Sequence, residues 1–224
     1  ISTRYVHFLG RNEPRNLSNN NGLLSRGDAE LTDMTQTKQS SDGDDIDFDV
    51  WHDVFLDTKD LHRHFSRQNY YGPVLFKFSI KCLIEEEIDV WITKDNPINW
   101  SHEMSMEDKY FQSVEELERD WDQYDLQRKM VTIRKPGRPV LFNHLKSVVL
   151  DNPAVRIGDT SLKKESRKAI SNATKGNSVM RDKLKARKCH NCYCKSNYLD
   201  QVSRKELRRL FLHPDHERFY NNDI

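Results

Sequence analysis

Residues 74–93 read VLFKFSIKCLIEEEIDVWIT. Val74 to Ile80 alternates well enough for a strand with one covered face, and Ile88 to Thr93 makes a second. Both are short and rich in β-branched and aromatic residues. Downstream, Asp95-Asn96-Pro97 ends the second strand, and a helix is predicted over Val114 to Leu126, with Leu117, Trp121 and Tyr124 on one stripe. Ser113, three residues before Glu116, is placed to cap it. Lys129 to Arg134, the turn Lys135-Pro136-Gly137-Arg138-Pro139 and Val140 to Phe142 suggest a hairpin, and Lys146 to Leu150 is a last strand closing at Asp151-Asn152-Pro153.

Upstream, Asn69-Tyr70-Tyr71-Gly72-Pro73 is a turn, preceded by a helix over Thr58 to Gln68 with Leu61 and Phe65 facing inward. Val50 to Leu56 reads as a strand. Gly27 to Asp49 has few apolar anchors and predicts a mobile surface loop. Gly22-Leu23-Leu24-Ser25 is a compact apolar element, Glu13 to Leu17 opens a short helix, and Arg4 to Leu9 is a first strand. Short strands outnumber helices and do not alternate with them regularly. The expected class is therefore α+β, a mixed and mainly antiparallel short-stranded body over 1–151, not a doubly wound parallel sheet.

The 224 residues carry a formal net charge of +1, which conceals an asymmetry. Residues 1–151 hold 19 Lys+Arg against 27 Asp+Glu, and residues 152–224 hold 17 against 8. Two explanations stand: the halves attract each other, or the basic part meets a polyanion. Residues 152–188 read as a basic linker or helical segment, and 189–224 as a basic helical unit bearing Cys and His. No stretch approaches the roughly 18 consecutive apolar residues of a membrane helix, and the N-terminus lacks a signal-peptide layout. A soluble, cytoplasmic chain without a membrane partner is expected. No Walker loop, GxGxxG, HExxH or GxSxG occurs, and the zinc-deaminase pattern fails because His102-Glu103 lacks the HxE spacing.

An ordered series of local patterns remains. Tyr5-Val6-His7-Phe8, Asn16-Leu17 and Gly22-Leu23-Leu24-Ser25-Arg26 are followed by Val54 to Lys59, the strand after Tyr71-Gly72-Pro73, and Ile92-Thr93-Lys94-Asp95-Asn96. This series resembles ADP-ribosyltransferase-like enzymes, most closely the DarT-like toxins that modify DNA bases. The resemblance implies an NAD-dependent mono-ADP-ribosyltransferase acting on a nucleic acid, DNA or RNA, in a toxin or phage-defence setting, with an antitoxin or regulatory protein as partner. It implies that His7 hydrogen-bonds a ribose hydroxyl of NAD, that Tyr71 or Tyr70 stacks on nicotinamide, and that Gly22, Leu24 and Ser25 line the NAD site. An imidazole and a phenol face suit those tasks, and Lys59, or Arg63 one turn on, suits the pyrophosphate.

The family places a catalytic Glu near the start of a late strand, where it orients the acceptor and supports developing charge. Here that stretch reads Leu126-Gln127-Arg128-Lys129-Met130-Val131 and holds no carboxylate. Gln127 or Asp125 takes the role, or Glu116 or Glu118 is brought close by folding, or catalysis is lost. The last option leaves a non-catalytic nucleic-acid- or partner-binding module.

Cys189-His190-Asn191-Cys192-Tyr193-Cys194 and His213-Pro214-Asp215-His216 form the second signal. CxxC with a distant HxxH supplies four ligands for tetrahedral zinc, and Cys194 in place of one His gives a Cys3His set. Between them, Arg204, Lys205, Arg208 and Arg209 fall at helical spacings that predict one basic face for phosphate contacts.

Overall fold

The computed structural model describes residues 2–3, 22–32, 42–60, 66, 72–85, 87–120, 130–174, 177–188, 193–199, 202–213 and 215–220. Within them the strands are β1 (Ser2–Thr3), β2 (Gly22–Leu23), β3 (Val54–Asp57), β4 (Val74–Phe78), β5 (Val90–Ile92), β6 (Met130–Ile133), β7 (Val140–Leu141), β8 (Leu145–Leu150), β9 (Arg156–Ile157), β10 (Thr160–Ser161) and β11 (Leu184–Ala186). Seven form one sheet in the order β11-β8-β4-β1-β3-β6-β5. Its pairings are antiparallel except that of β11 with β8, which is parallel. Short helices lie between the strands, so the α+β expectation holds. No helix among the described residues is long and apolar enough to cross a membrane.

The period of two in β4 decides which side is core. Val74, Phe76 and Phe78 join Val54, Leu56, Val131, Ile133, Leu145, Val148 and Leu150 in one cluster. Leu23 of β2, Ile170 of the helix Leu162–Ala173 and Met180 of the helix Ser178–Arg181 belong to the same cluster. Burying each such side chain is worth roughly 1.5–3 kcal/mol. Phe55 and Trp91 lie opposite Thr132 in register and take the other parity, so they join Val50, Trp100 and Tyr110 in a separate aromatic cluster. A third cluster holds Ile157, Leu162, Tyr198, Val202, Leu207, Leu210, Phe211 and Leu212.

Four expectations change. The stretch 27–49, expected as a mobile loop, contributes the helices Arg26–Leu31 and Asp42–Asp47. Ser25 caps the first, three aspartates occupy the first turn of the second, and an Arg26–Asp42 ion pair joins them. The strand expected from Val50 starts only at Val54, because Asp49 takes a left-handed φ of 59° and residues 51–52 turn. Val140–Leu141 pairs with β2, not with β6 as a hairpin would, since β6 already has β3 and β5 on its two edges. Residues 152–188 are not a linker alone: they supply β11, an edge of the main sheet. The sequence hides that strand, because Leu184 stands between Lys183 and Lys185 in a run too short to show a pattern. The expected strand Arg4–Leu9 and most of the helices expected at Thr58–Gln68 and beyond Asp120 lie outside the described residues.

Arg187, just past β11, fixes this segment. It bonds Asp151 through Nε and Asp60 through Nη1 at 2.6 Å, with its side chain 5% exposed. Asp151 also accepts from the Tyr198 hydroxyl at 2.8 Å, and that hydroxyl lies 3.2 Å from the Gly72 carbonyl. Lys77 Nζ stands 3.3 Å from Asp60. Removing the guanidinium takes the shared cation from two buried carboxylates and leaves them, among the described residues, Tyr198 and Lys77; breaking such a buried pair ordinarily costs about 3–5 kcal/mol. Arg187→Ala is therefore expected to lower the unfolding free energy in a denaturant titration by that amount; a loss under about 1 kcal/mol would show that water replaces the side chain.

Candidate functional site

The Gly22-Leu23-Leu24-Ser25 element is a strand running straight into a capped helix. Gly22 and Leu23 pair with Leu141 and Val140, Leu24 is half-buried, and Ser25 is 2% exposed. Ser25 Oγ accepts from the Asp28 N–H at 3.0 Å. The Gly27 N–H donates to the Trp51 carbonyl at 2.9 Å, which draws the first helical turn onto residues 51–52. His52 Nδ1 lies 3.1 Å from Asp28 Oδ1, Trp51 Nε1 donates to Glu30 at 3.1 Å, and the Arg26 guanidinium sits 5.0 Å from the Trp51 ring.

Gly27 explains how the imidazole comes so close. A Cβ there would stand 2.4 Å from His52 Cε1 and 2.5 Å from Nδ1, so the ring rests on bare backbone. One Asp28 oxygen is engaged by His52, and the other is buried with no hydrogen-bond partner among the described residues. The dyad links two segments that spacing alone does not connect. Its one visible signal is Ser25-Arg26-Gly27-Asp28, a cap pattern that starts a helix.

Of the other residues assigned to NAD, Lys59 is exposed just beyond β3, whereas His7, Arg63, Tyr70 and Tyr71 lie outside the described residues. Gln127 and Asp125 also lie outside them. Between the substitute acids, Glu116 is committed. Its carboxylate accepts from the Gln112 N–H at 2.8 Å and pairs with Lys94, and those contacts, the backbone one first, hold it below the usual carboxylate range. Ser113 Oγ does cap that helix, accepting from the Glu116 N–H at 3.1 Å. Glu118 is exposed on the same helix. Asp53 is buried beneath Arg134 and accepts from the Lys135 N–H at 3.1 Å; burial raises its carboxyl above the ordinary value, against the pull of Arg134.

At the C-terminal end, Cys189 and Cys192 lie outside the described residues, and Cys194 opens the helix Cys194–Leu199. His213 Nδ1 accepts from the Asp215 N–H at 3.2 Å, and Nε2 makes no hydrogen bond among the described residues. His216 is engaged at both nitrogens: Nδ1 accepts from the Arg218 N–H at 3.1 Å, and Nε2 faces Glu165 at 3.8 Å. No group of three or more His, Cys, Asp or Glu placed to hold a metal occurs among the described residues.

The basic helix needs a correction. Arg204–Phe211 is helical and capped by Ser203, but Arg208 is 5% exposed and does not belong to the surface face. The exposed cations of this helix are therefore Arg204, Lys205 and Arg209. Leu162–Ala173 packs against this helix through Leu162 and a 2.6 Å bond from Ser166 Oγ to the Phe211 carbonyl, and it adds exposed Lys164, Arg167 and Lys168. In the sequence those three sit inside a general run of charge; their recurrence opposite Leu162, Ser166 and Ile170 is the helical signal that finds them.

Comparison with protein-family models, curated proteins and solved structures returned no match.

Helix propensity gives a direct probe of the Gly27–His52 contact. Ala replaces Gly in a helix with a gain of about 1 kcal/mol. Gly27→Ala should show that gain in a His52→Ala background and clearly less of it beside the native imidazole. Equal effects in both backgrounds would mean that the ring does not rest on Gly27.

Proposed function

We propose that the protein is an NAD-dependent mono-ADP-ribosyltransferase whose acceptor is a nucleic acid. The observation that carries this reading is the ordered motif series, with Gly22-Leu23-Leu24-Ser25 held as a strand entering a Ser-capped helix on an α+β body. NAD is a substrate here, contributing an ADP-ribosyl group on a carbon whose bond to nicotinamide is already weakened by positive charge. His7 orients the ribose, Tyr71 or Tyr70 covers the nicotinamide, and Gly22, Leu24 and Ser25 form the floor. Exposed Lys59, or Arg63, suits the anionic pyrophosphate.

Acceptor binding falls to the basic surface of Arg204, Lys205 and Arg209 with Lys164, Arg167 and Lys168. A zinc ion on Cys189, Cys192, Cys194 and His213 belongs to the same proposal and would tie the chain before the basic helix to the chain after it. Thiolates and an imidazole are the donors zinc prefers, and His213 bonds the Asp215 N–H through Nδ1. Arg204, Lys205 and Arg209 also suit the second reading, a nucleic-acid- or partner-binding module without catalysis. The missing late-strand carboxylate favours it.

NAD should raise the thermal midpoint of the wild type, because a ligand bound only by the folded state stabilises it, and His7→Ala should abolish the shift. Labelled NAD should mark DNA or RNA; no shift and no label would leave the binding-module reading. Changing Arg204, Lys205 and Arg209 to Gln should weaken nucleic-acid binding evenly across sequences and flatten the salt dependence by about 0.7–0.9 log units for each phosphate that is no longer neutralised. An unchanged salt slope would move the interface elsewhere. Metal analysis should find about one zinc per chain.

A further inference from the structure

We infer that His52, oriented by Asp28, is the general base that activates the acceptor, in place of the carboxylate the late strand lacks. This rests on the transferase reading above. The geometry is that of a carboxylate-held imidazole. Asp28 Oδ1 takes Nδ1 at 3.1 Å, the Asp28 side chain is 17% exposed, and the His52 side chain is 42% exposed. An anion on Nδ1 fixes the tautomer that carries its proton there and leaves the Nε2 lone pair for an incoming proton.

The local construction holds this pair in place. Ser25 fixes the helix start that presents Asp28, the Gly27–Trp51 backbone bond fixes the segment that presents His52, and Gly27 keeps the gap between them narrow. Gly is a poorer helix former than Ala, so its place beneath the ring is explained by the close approach and not by the helix. The dyad begins three residues past Ser25, at the element assigned to NAD. Among the acids weighed for the role, Glu116 is bound to Gln112 and Lys94, Glu118 is exposed on the same helix, and Asp125 lies outside the described residues.

The step balances without another reactant. The bond from ribose C1′ to the nicotinamide nitrogen breaks, and its electron pair stays on nicotinamide, which leaves neutral. A lone pair on an acceptor N–H or O–H forms the new bond to C1′. The proton that the acceptor sheds passes to His52 Nε2 and then to water.

The test uses the full chain with labelled NAD and a DNA or RNA oligonucleotide. His52→Ala and His52→Gln should keep the NAD-induced thermal shift and lose about 10²–10⁴-fold in transfer rate. Asp28→Asn should lose at least about 10-fold, and added imidazole should restore part of the His52→Ala rate, which a purely structural role would not allow. A wild type that transfers label beside a His52→Ala variant within about twofold of it overturns the base and leaves the transferase. Loss of transfer accompanied by equal loss of the NAD shift and no imidazole rescue makes His52 structural and overturns the base too. A wild type that neither binds NAD nor transfers label removes the reading and the base together.

Discussion

Arg187 between Asp60 and Asp151 is the contact on which the arrangement of the two halves depends. A lone buried carboxylate is too costly to keep ionised, and two of them sharing one site would repel. One guanidinium with several donors answers both, and it can reach them only if the chain beyond residue 183 lies alongside β8. That requirement explains a parallel strand of three residues, which has little pairing energy of its own. The Tyr198 hydroxyl then closes the remaining acceptor of Asp151 and touches the Gly72 carbonyl, so the C-terminal unit also steadies the turn before β4.

The charge asymmetry of the chain gains a physical account from the same contacts. Body and basic segment attract each other through Arg187 with Asp60 and Asp151, and none of those charges is left for a polyanion. The cations that remain outward are of a different kind, on helices whose apolar sides are already used: Leu162 and Ile170 face inward on one, Leu207, Leu210 and Phe211 on the other. Internal attraction and the outward positive charge therefore rest on separate residues. Arg208 is not among the outward cations, because it is buried, despite a sequence spacing that placed it with them.

Strands were legible where alternation and β-branched or aromatic residues coincided, as at Val74–Phe78, Val90–Ile92, Met130–Ile133 and Leu145–Leu150. Pairing was less so. The turn Lys135 to Pro139 suggested a hairpin, but the edges of β6 were taken by strands from far away in the chain, and local turn chemistry has no view of that. The Asp-rich stretch around 42–47 read as loop because it lacks apolar anchors, yet acidic residues in a first turn favour a helix electrostatically. In the candidate site, Ser25 and Gly22–Leu23 were readable as an element, whereas His52 and Asp28 were not a pair until folding joined them across 24 positions.

Two kinds of information thus coexist in the short stretch after β2. Ser25, Gly27 and Asp28 each look ordinary: a cap, a small residue in a first turn, an acid near the positive end of a helix. Each of those roles would be satisfied by several other residues, since Thr caps, Ala is better than Gly in a helix, and Glu also favours a first turn. The choice narrows only when His52 is set against them. Its ring demands no Cβ at 27, and its Nδ1 demands a carboxylate of aspartate length at 28. Helix stability alone does not select Gly27, and the imidazole contact does, so the local rule is broken where a titratable side chain is brought under control.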